Sequence, residues 1–196
     1  MQKEILRQIV HLSGLLFVFL AQIFDKWISS AIFFGIFFIF IFYGEYIKIK
    51  KQPLLGLRNL AFFFERKNTR PFTGAIFFYL GCGLAFLIFP HNIASVSSAI
   101  LAVGDSLSTI IGMNFGRHKT IGKKSVEGSL AFFAGSFLIS LIFVKWQIGF
   151  IGSLIAALVE LCIPPKIGGK TLWLLDDNLL IPIICGIVMF LFGFYF

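Results

Sequence analysis

The spacing of its apolar runs constrains this chain more than any other feature. Stretches 8–24, 27–46, 71–89, 93–113, 128–144, 147–163 and 179–196 each approach the length that an α-helix needs to cross a bilayer core, about 20 mostly apolar residues. A segment in lipid must satisfy its own backbone hydrogen bonds, which a helix does. The runs therefore predict an all-α fold: a polytopic integral membrane helical bundle of about seven transmembrane helices, one domain spanning residues 1–196. Composition enters as support, because 58% of residues are hydrophobic and only 13% charged, where a soluble domain carries about 25%. A soluble enzyme, a disordered tail and a secreted disulfide module are excluded. Cys82, Cys162 and Cys185 are odd in number and fall in apolar runs, so they read as small buried hydrophobes.

The joints are polar and short. Asp25-Lys26 separates the first two runs, Pro90-His91-Asn92 the third and fourth, and Lys145-Trp146 the fifth and sixth. Longer connections occupy 47–70, 114–127 and 164–178. With a cytoplasmic N-terminus, fifteen of the seventeen basic residues lie on the cytoplasmic side, and only Lys26 and Lys145 lie outside. That split follows the positive-inside rule, so the net charge of +8 is topological and needs no nucleic-acid partner. No small-residue cleavage site follows the first residues, so 8–24 is expected to be a retained span. Leu54 to Phe64, apolar around Arg58, is expected to lie along the interface.

Ionisable groups within spans are expensive, so each is a functional candidate. Asp105 follows Gly104 and shares one helix stripe with Ser98, Thr109, Gly112 and Gly116. Gly112 and Gly116 by themselves make a small-residue packing seam; a carboxylate within it calls for a further reason. In the next connection, Lys123 and Lys124 precede Ser125, a residue suited to cap a helix, with Glu127, Gly128 and Ser129 in the first turn. Free N–H groups at a helix start bind anions, and two lysines beside them would neutralise phosphates. Glu127 would cap, form a salt bridge or hold a metal ion. Glu160 shares a face with Gly149, Ser153 and Ala156, and Asp176-Asp177-Asn178 opens the last span. Oxygen ligands at a membrane boundary suit Mg²⁺ shared with substrate phosphates, and equally suit helix capping. Arg7 and His11 share a face of the first span. On one side of a seven-span bundle these groups would form a metal–polyphosphate site for phosphoryl or nucleotidyl transfer to a lipid.

The runs Gly104-Asp105 through Gly112, Gly116 and Arg117, then Lys124-Ser125-x-Glu127-Gly128-Ser129, resemble the signature of CTP-dependent lipid kinases. These are the dolichol, phytol and diacylglycerol kinase relatives, with small prokaryotic polyprenol-kinase-like members. Arg7-x-x-x-His11, Glu65-Arg66 with Thr73-Gly74-Ala75, Glu160 and Asp177-Asn178-x-x-x-Pro182 extend the likeness over nearly the whole chain. The resemblance implies a multi-pass catalytic domain in the cell membrane with its active face cytoplasmic, CTP as phosphoryl donor, Mg²⁺, and a membrane lipid alcohol as acceptor. It further implies phosphate binding by Lys123, Lys124 and Ser125 to Ser129, with Thr109 and Arg117 nearby. Metal binding would fall to Asp105, Asp177 and Glu127, with one aspartate as base, and ligand orientation to Asn178 and Glu160. Arg7, His11 and Asp176 would be accessory. Two rivals stay open: a cytidylyltransferase that makes a CDP-lipid from a lipid phosphate, and a small transporter using Asp105 and Glu160 as ion sites.

Overall fold

The computed structural model describes residues 2–50, 72–120, 124–163 and 176–193. Among these, seven α-helices form the fold: α1 (Gln2–Ala21), α2 (Lys26–Lys50), α3 (Thr73–Ile88), α4 (His91–Phe115), α5 (Val126–Ser140), α6 (Trp146–Cys162) and α7 (Asp177–Phe192). Each expected run thus carries one helix, and the described residues form no extended strand. The segment Leu54 to Phe64, and the loop lysines Lys166 and Lys170, lie outside the described residues.

Side-chain register fixes how neighbouring helices run. Gln22 Nε2 donates to Ser95 Oγ at 2.7 Å while Ser106 Oγ donates to the Gln8 carbonyl at 3.3 Å, so α1 and α4 are antiparallel. Ser30 Oγ donates to the Gly83 carbonyl at 2.9 Å, which sets α2 antiparallel to α3. Ser136 Oγ reaches the Ile100 carbonyl at 3.3 Å across the α4–α5 pair. The joints 22–25, 89–90 and 141–145 therefore gather at one end, and the termini Lys50, Thr73, Phe115, Val126, Cys162 and Asp177 at the other. Helix α4 is the hub: it packs most extensively on α5 and also touches α1, α3, α6 and α7. Helix α2 lies against α3.

The distribution of polarity is inverted relative to a water-soluble bundle. Serines 29, 30, 95, 97, 98, 106, 108, 136, 140 and 153 are buried, whereas Leu16, Ile23, Ile39, Phe42, Leu130, Leu138 and Ile142 are exposed. Small hydroxyl residues let helices approach closely and bond to one another's carbonyls, the packing mode of helices in lipid. Large aromatic rings fill the wider gap around α3, where Tyr79 meets Phe17 of α1 and Phe33 and Phe40 of α2. Two helices, α2 and α4, are long and apolar enough to cross a membrane, and the other apolar helical stretches are shorter. Cys82 and Cys185 are buried, but Cys162 is exposed at the end of α6, where the bundle no longer covers it.

Candidate active site

The groups singled out in the sequence meet at the end of the bundle that holds Phe115, Val126, Cys162 and Asp177. Helix α7 starts well inside that end: at Gly81, two turns into α3, an added Cβ would lie 2.5 Å from the Asn178 carbonyl. The opening residues of α7 are thereby set beside the middle turns of α3. Asp105 lies ten residues before the end of α4, about 15 Å of helix. This inset end of the bundle, with Asp105 on its inner part and the starts of α5 and α7 around it, is termed the recess.

Lys124 and Glu160 form its clearest pair. Lys124 Nζ lies 3.1 Å from Glu160 Oε1, with both side chains largely buried, and it also donates to the Glu160 backbone carbonyl. Glu160 is buried along with Gly149, Ser153 and Ala156 of the same face. Its other oxygen, Oε2, is buried without a hydrogen-bond partner among the described residues. Asp105 and Asp177 both lie within electrostatic reach of this carboxylate. Asp105 Oδ2 sits 3.6 Å from His11 Nε2, and the imidazole stands edge-on to Phe78 with ring centroids 4.6 Å apart.

At the start of α7, Asp176 is the N-cap and accepts the Asn178 N–H at 3.0 Å. The Asn178 side-chain amide donates to Asp176 at 3.0 Å and Asp177 at 3.3 Å, and its buried Oδ1 has no partner among the described residues. Burial, and then the charge of Asp177, push the Asp176 carboxyl up to about 7. Capping and clustering of acids thus coexist at this helix start.

The α5 start is held by its own loop. Lys119 and Ser125 form a short antiparallel bridge, Thr120 N–H donates to the Lys124 carbonyl at 2.9 Å, and Val126 N–H to the His118 carbonyl at 2.9 Å. Ser125 Oγ caps the helix by accepting the Gly128 N–H at 3.2 Å. Glu127 turns to His118, whose Nδ1 is 2.7 Å from Oε1, and its carboxyl is held down at about 2 by its own N–H and by that ring. Glu127 therefore serves the loop, on the flank of the recess. Buried Thr120 Oγ1 and Ser129 Oγ have no partner among the described residues. Arg117 is exposed and Thr109 half-buried. Lys123, and the side chain of Arg7, lie outside the described residues.

The glycines hold α4 against α5. A Cβ on Gly128 would sit 2.9 Å from the Ser108 carbonyl oxygen and 3.4 Å from Gly112 Cα, and one on Gly104 would meet Ser136 Oγ at 2.5 Å and Phe132 at 2.7 Å. One on Gly116 would meet Ser125 Oγ at 2.6 Å. These positions thus have a packing use, and they seat Ser125 and Lys124 beside α4. Gly128→Val is expected to cost about 1–3 kcal/mol, since a backbone oxygen cannot yield as a side chain can. Gly35→Ala, with nothing within 4 Å of the new atom, should gain about 0.5–1 kcal/mol. Thermal midpoints in detergent check both.

Sequence reasoning passed over Gln8. It is buried in α1, three residues before His11, and neither end of its amide has a partner among the described residues. Its signal is an uncharged polar residue on the His11 face, whose burial depends on the distant helix α4. Among the described residues, no three His, Cys, Asp or Glu side chains cluster tightly enough to hold a metal ion by themselves. Glu160 Oε2 and Asn178 Oδ1, unpartnered among the described residues, are hard oxygens of the kind a magnesium ion takes alongside water and substrate phosphate.

A recess of carboxylates and one buried lysine, at one end of a helical bundle with an apolar exterior, defines a class of sites suited to phosphate chemistry on lipids. No family model matches the chain, and no solved structure is similar to it. Sequence comparison is more informative. An uncharacterised protein of Methanocaldococcus jannaschii is 35% identical over 95% of this chain and 93% of its own. Dolichol kinase of Saccharomyces cerevisiae is 31% identical over 70% of this chain, which spans only 27% of that longer enzyme. The CTP-dependent diacylglycerol kinase 1 of Schizosaccharomyces pombe is 28% identical over 79% of this chain and 77% of its own. The chain belongs to the family of CTP-dependent lipid kinases.

Proposed function

We propose that this protein is a multi-pass membrane enzyme, residues 1–196 forming one catalytic domain, that transfers the γ-phosphoryl group of CTP to the hydroxyl of a membrane lipid alcohol. The observation that carries the reading is the convergence of Lys124, Glu160, Asp105 and Asp177 in one recess. The names of the dolichol and diacylglycerol kinases among its relatives supply donor and acceptor class. The apolar exterior supports a membrane setting. So do Lys26-Trp27 and Lys145-Trp146, which begin α2 and α6 at the end opposite the recess, with each tryptophan 61% exposed. Tryptophan and lysine favour the interface of a bilayer. The excess of basic residues on the recess side supports a cytoplasmic active face.

In this reading, Lys124 and the capped start of α5 bind the triphosphate, with the hydroxyls of Ser129 and Thr120 beside them. Asp177, Asn178 Oδ1 and Glu160 Oε2 would hold Mg²⁺, which when bound neutralises charge on the transferring phosphate. The acceptor oxygen attacks the γ-phosphorus, the bond from that phosphorus to the β,γ-bridging oxygen breaks, and CDP leaves. The hydroxyl proton passes to Asp105, which His11 keeps oriented. Positioning and charge stabilisation supply most of the rate. The recess also suits a cytidylyltransferase, and the products separate the two. Purified protein in lipid nanodiscs, given γ-labelled CTP and a panel of polyprenol, phytol and diacylglycerol, is expected to release CDP and label the lipid. Pyrophosphate and a CDP-lipid formed from a lipid phosphate would overturn the kinase reading.

A further inference from the structure

Gln8 is only 1% exposed, and among the described residues neither its Nε2 nor its Oε1 has a hydrogen-bond partner. A buried amide left unpaired costs about 1–3 kcal/mol for each unsatisfied group. Such an expense, next to a site, points to a ligand that meets it. Three placements indicate which ligand. Gln8 precedes His11 by three residues and so shares its face of α1. Its own carbonyl accepts from Ser106, the residue after Asp105. And α1 packs on α4 and makes no extended contact with α5, α6 or α7, the helices that bring Lys124, Glu160 and Asp177. The phosphate-binding groups thus come with α5, α6 and α7, whereas His11 reaches Asp105 from α1, the helix that also carries Gln8. In-line transfer needs the attacking oxygen across from the leaving group.

We infer that Gln8 binds the hydroxyl of the acceptor lipid and positions its oxygen toward the γ-phosphorus. This rests on the kinase reading above and deepens it. A hydroxyl has one donor and two acceptor sites. The amide N–H donates to one lone pair of the acceptor oxygen, leaving the hydroxyl proton directed to Asp105 and a second lone pair for attack. The uncharged amide does this without withdrawing the proton itself. A carboxylate at the same position would add a fourth acid to the electrostatic neighbourhood of Asp105, and a lysine would compete for the Asp105 charge.

The test uses the full chain in lipid nanodiscs, with Gln8→Leu and Gln8→Met. Three quantities are read: transfer from CTP to the lipid alcohol that serves the wild type best, the Kd of a non-hydrolysable CTP analogue, and the thermal midpoint. The expected result is a fall of about 10–100-fold in kcat/KM for the lipid alcohol, the cost of one well-placed hydrogen bond to a reacting group. The Kd of the CTP analogue stays within twofold, and the midpoint holds or rises because an unpaired polar group has been replaced by an apolar one. Unchanged transfer in both variants overturns the inference. So does weakened binding of the CTP analogue, which would put Gln8 on the nucleotide, or a lowered midpoint in both variants, which would make the amide part of the packing. Wild-type protein that phosphorylates no lipid alcohol overturns the kinase reading itself, and this inference with it.

Discussion

Lys124→Met is expected to abolish lipid phosphorylation and, separately, to destabilise the bundle. Two losses coincide in this one substitution because Lys124 has two kinds of neighbour. Its ammonium lies 3.1 Å from Glu160 Oε1, and both side chains are mostly out of solvent. Removing one partner of a buried pair strands the other, at a cost of about 3–5 kcal/mol. The same ammonium would stabilise charge on the transferring phosphate, and losing one such group costs about 10²–10³ in kcat. A second substitution separates the effects. Lys124→Met with Glu160→Gln removes the stranded charge, so most of the thermal midpoint should return while transfer stays at the floor. Midpoints in detergent and turnover in nanodiscs measure the two. A double variant that regained activity along with stability would leave Lys124 with a purely structural use.

Much of this was legible in the sequence for simple physical reasons. A helix that can be surrounded by lipid must be apolar along a countable length, so the runs located all seven helices, with boundaries that moved by a few residues. Polar joints did the same for the ends. Single acids in an apolar setting stand out, which is why Asp105, Glu160 and Asp177 are legible as candidates in the sequence alone. What the sequence does not carry is the direction of a side chain within a loop or across a seam. Glu127 reads equally as cap, ion-pair partner or metal ligand; only the backbone bridge between Lys119 and Ser125 turns it to His118. Gly112 and Gly116 read as a packing seam, but only the folded chain shows that a Cβ on Gly116 would fall against Ser125 and one on Gly104 against Ser136. Gln8 was hidden because burial of a neutral amide depends on α4 lying against it, a contact 98 residues away in sequence.

Asp105→Asn should lower kcat by about 10²–10⁴ while leaving the fold intact or firmer. The magnitude is that of losing a positioned proton acceptor, since the amide is the same shape but cannot take the hydroxyl proton. The stability half of the prediction follows from where Asp105 sits. Its charge bears on Glu160 and also on Asp176, and both are themselves acids in a largely desolvated recess. Neutralising it relieves repulsion that the protein carries for function, so the midpoint should hold or rise even though His11 loses its charged neighbour at 3.6 Å. Asp176→Asn provides the contrast within the same cluster. Asparagine caps a helix as well as aspartate does, and burial favours the neutral form of the Asp176 carboxyl. That variant should keep turnover within a few-fold of wild type. Measured at pH 7 with saturating CTP, the pair distinguishes a recess in which the identity of each acid matters from one in which only total negative charge does. Equal losses in the two variants would favour the second and remove Asp105 from the proton path.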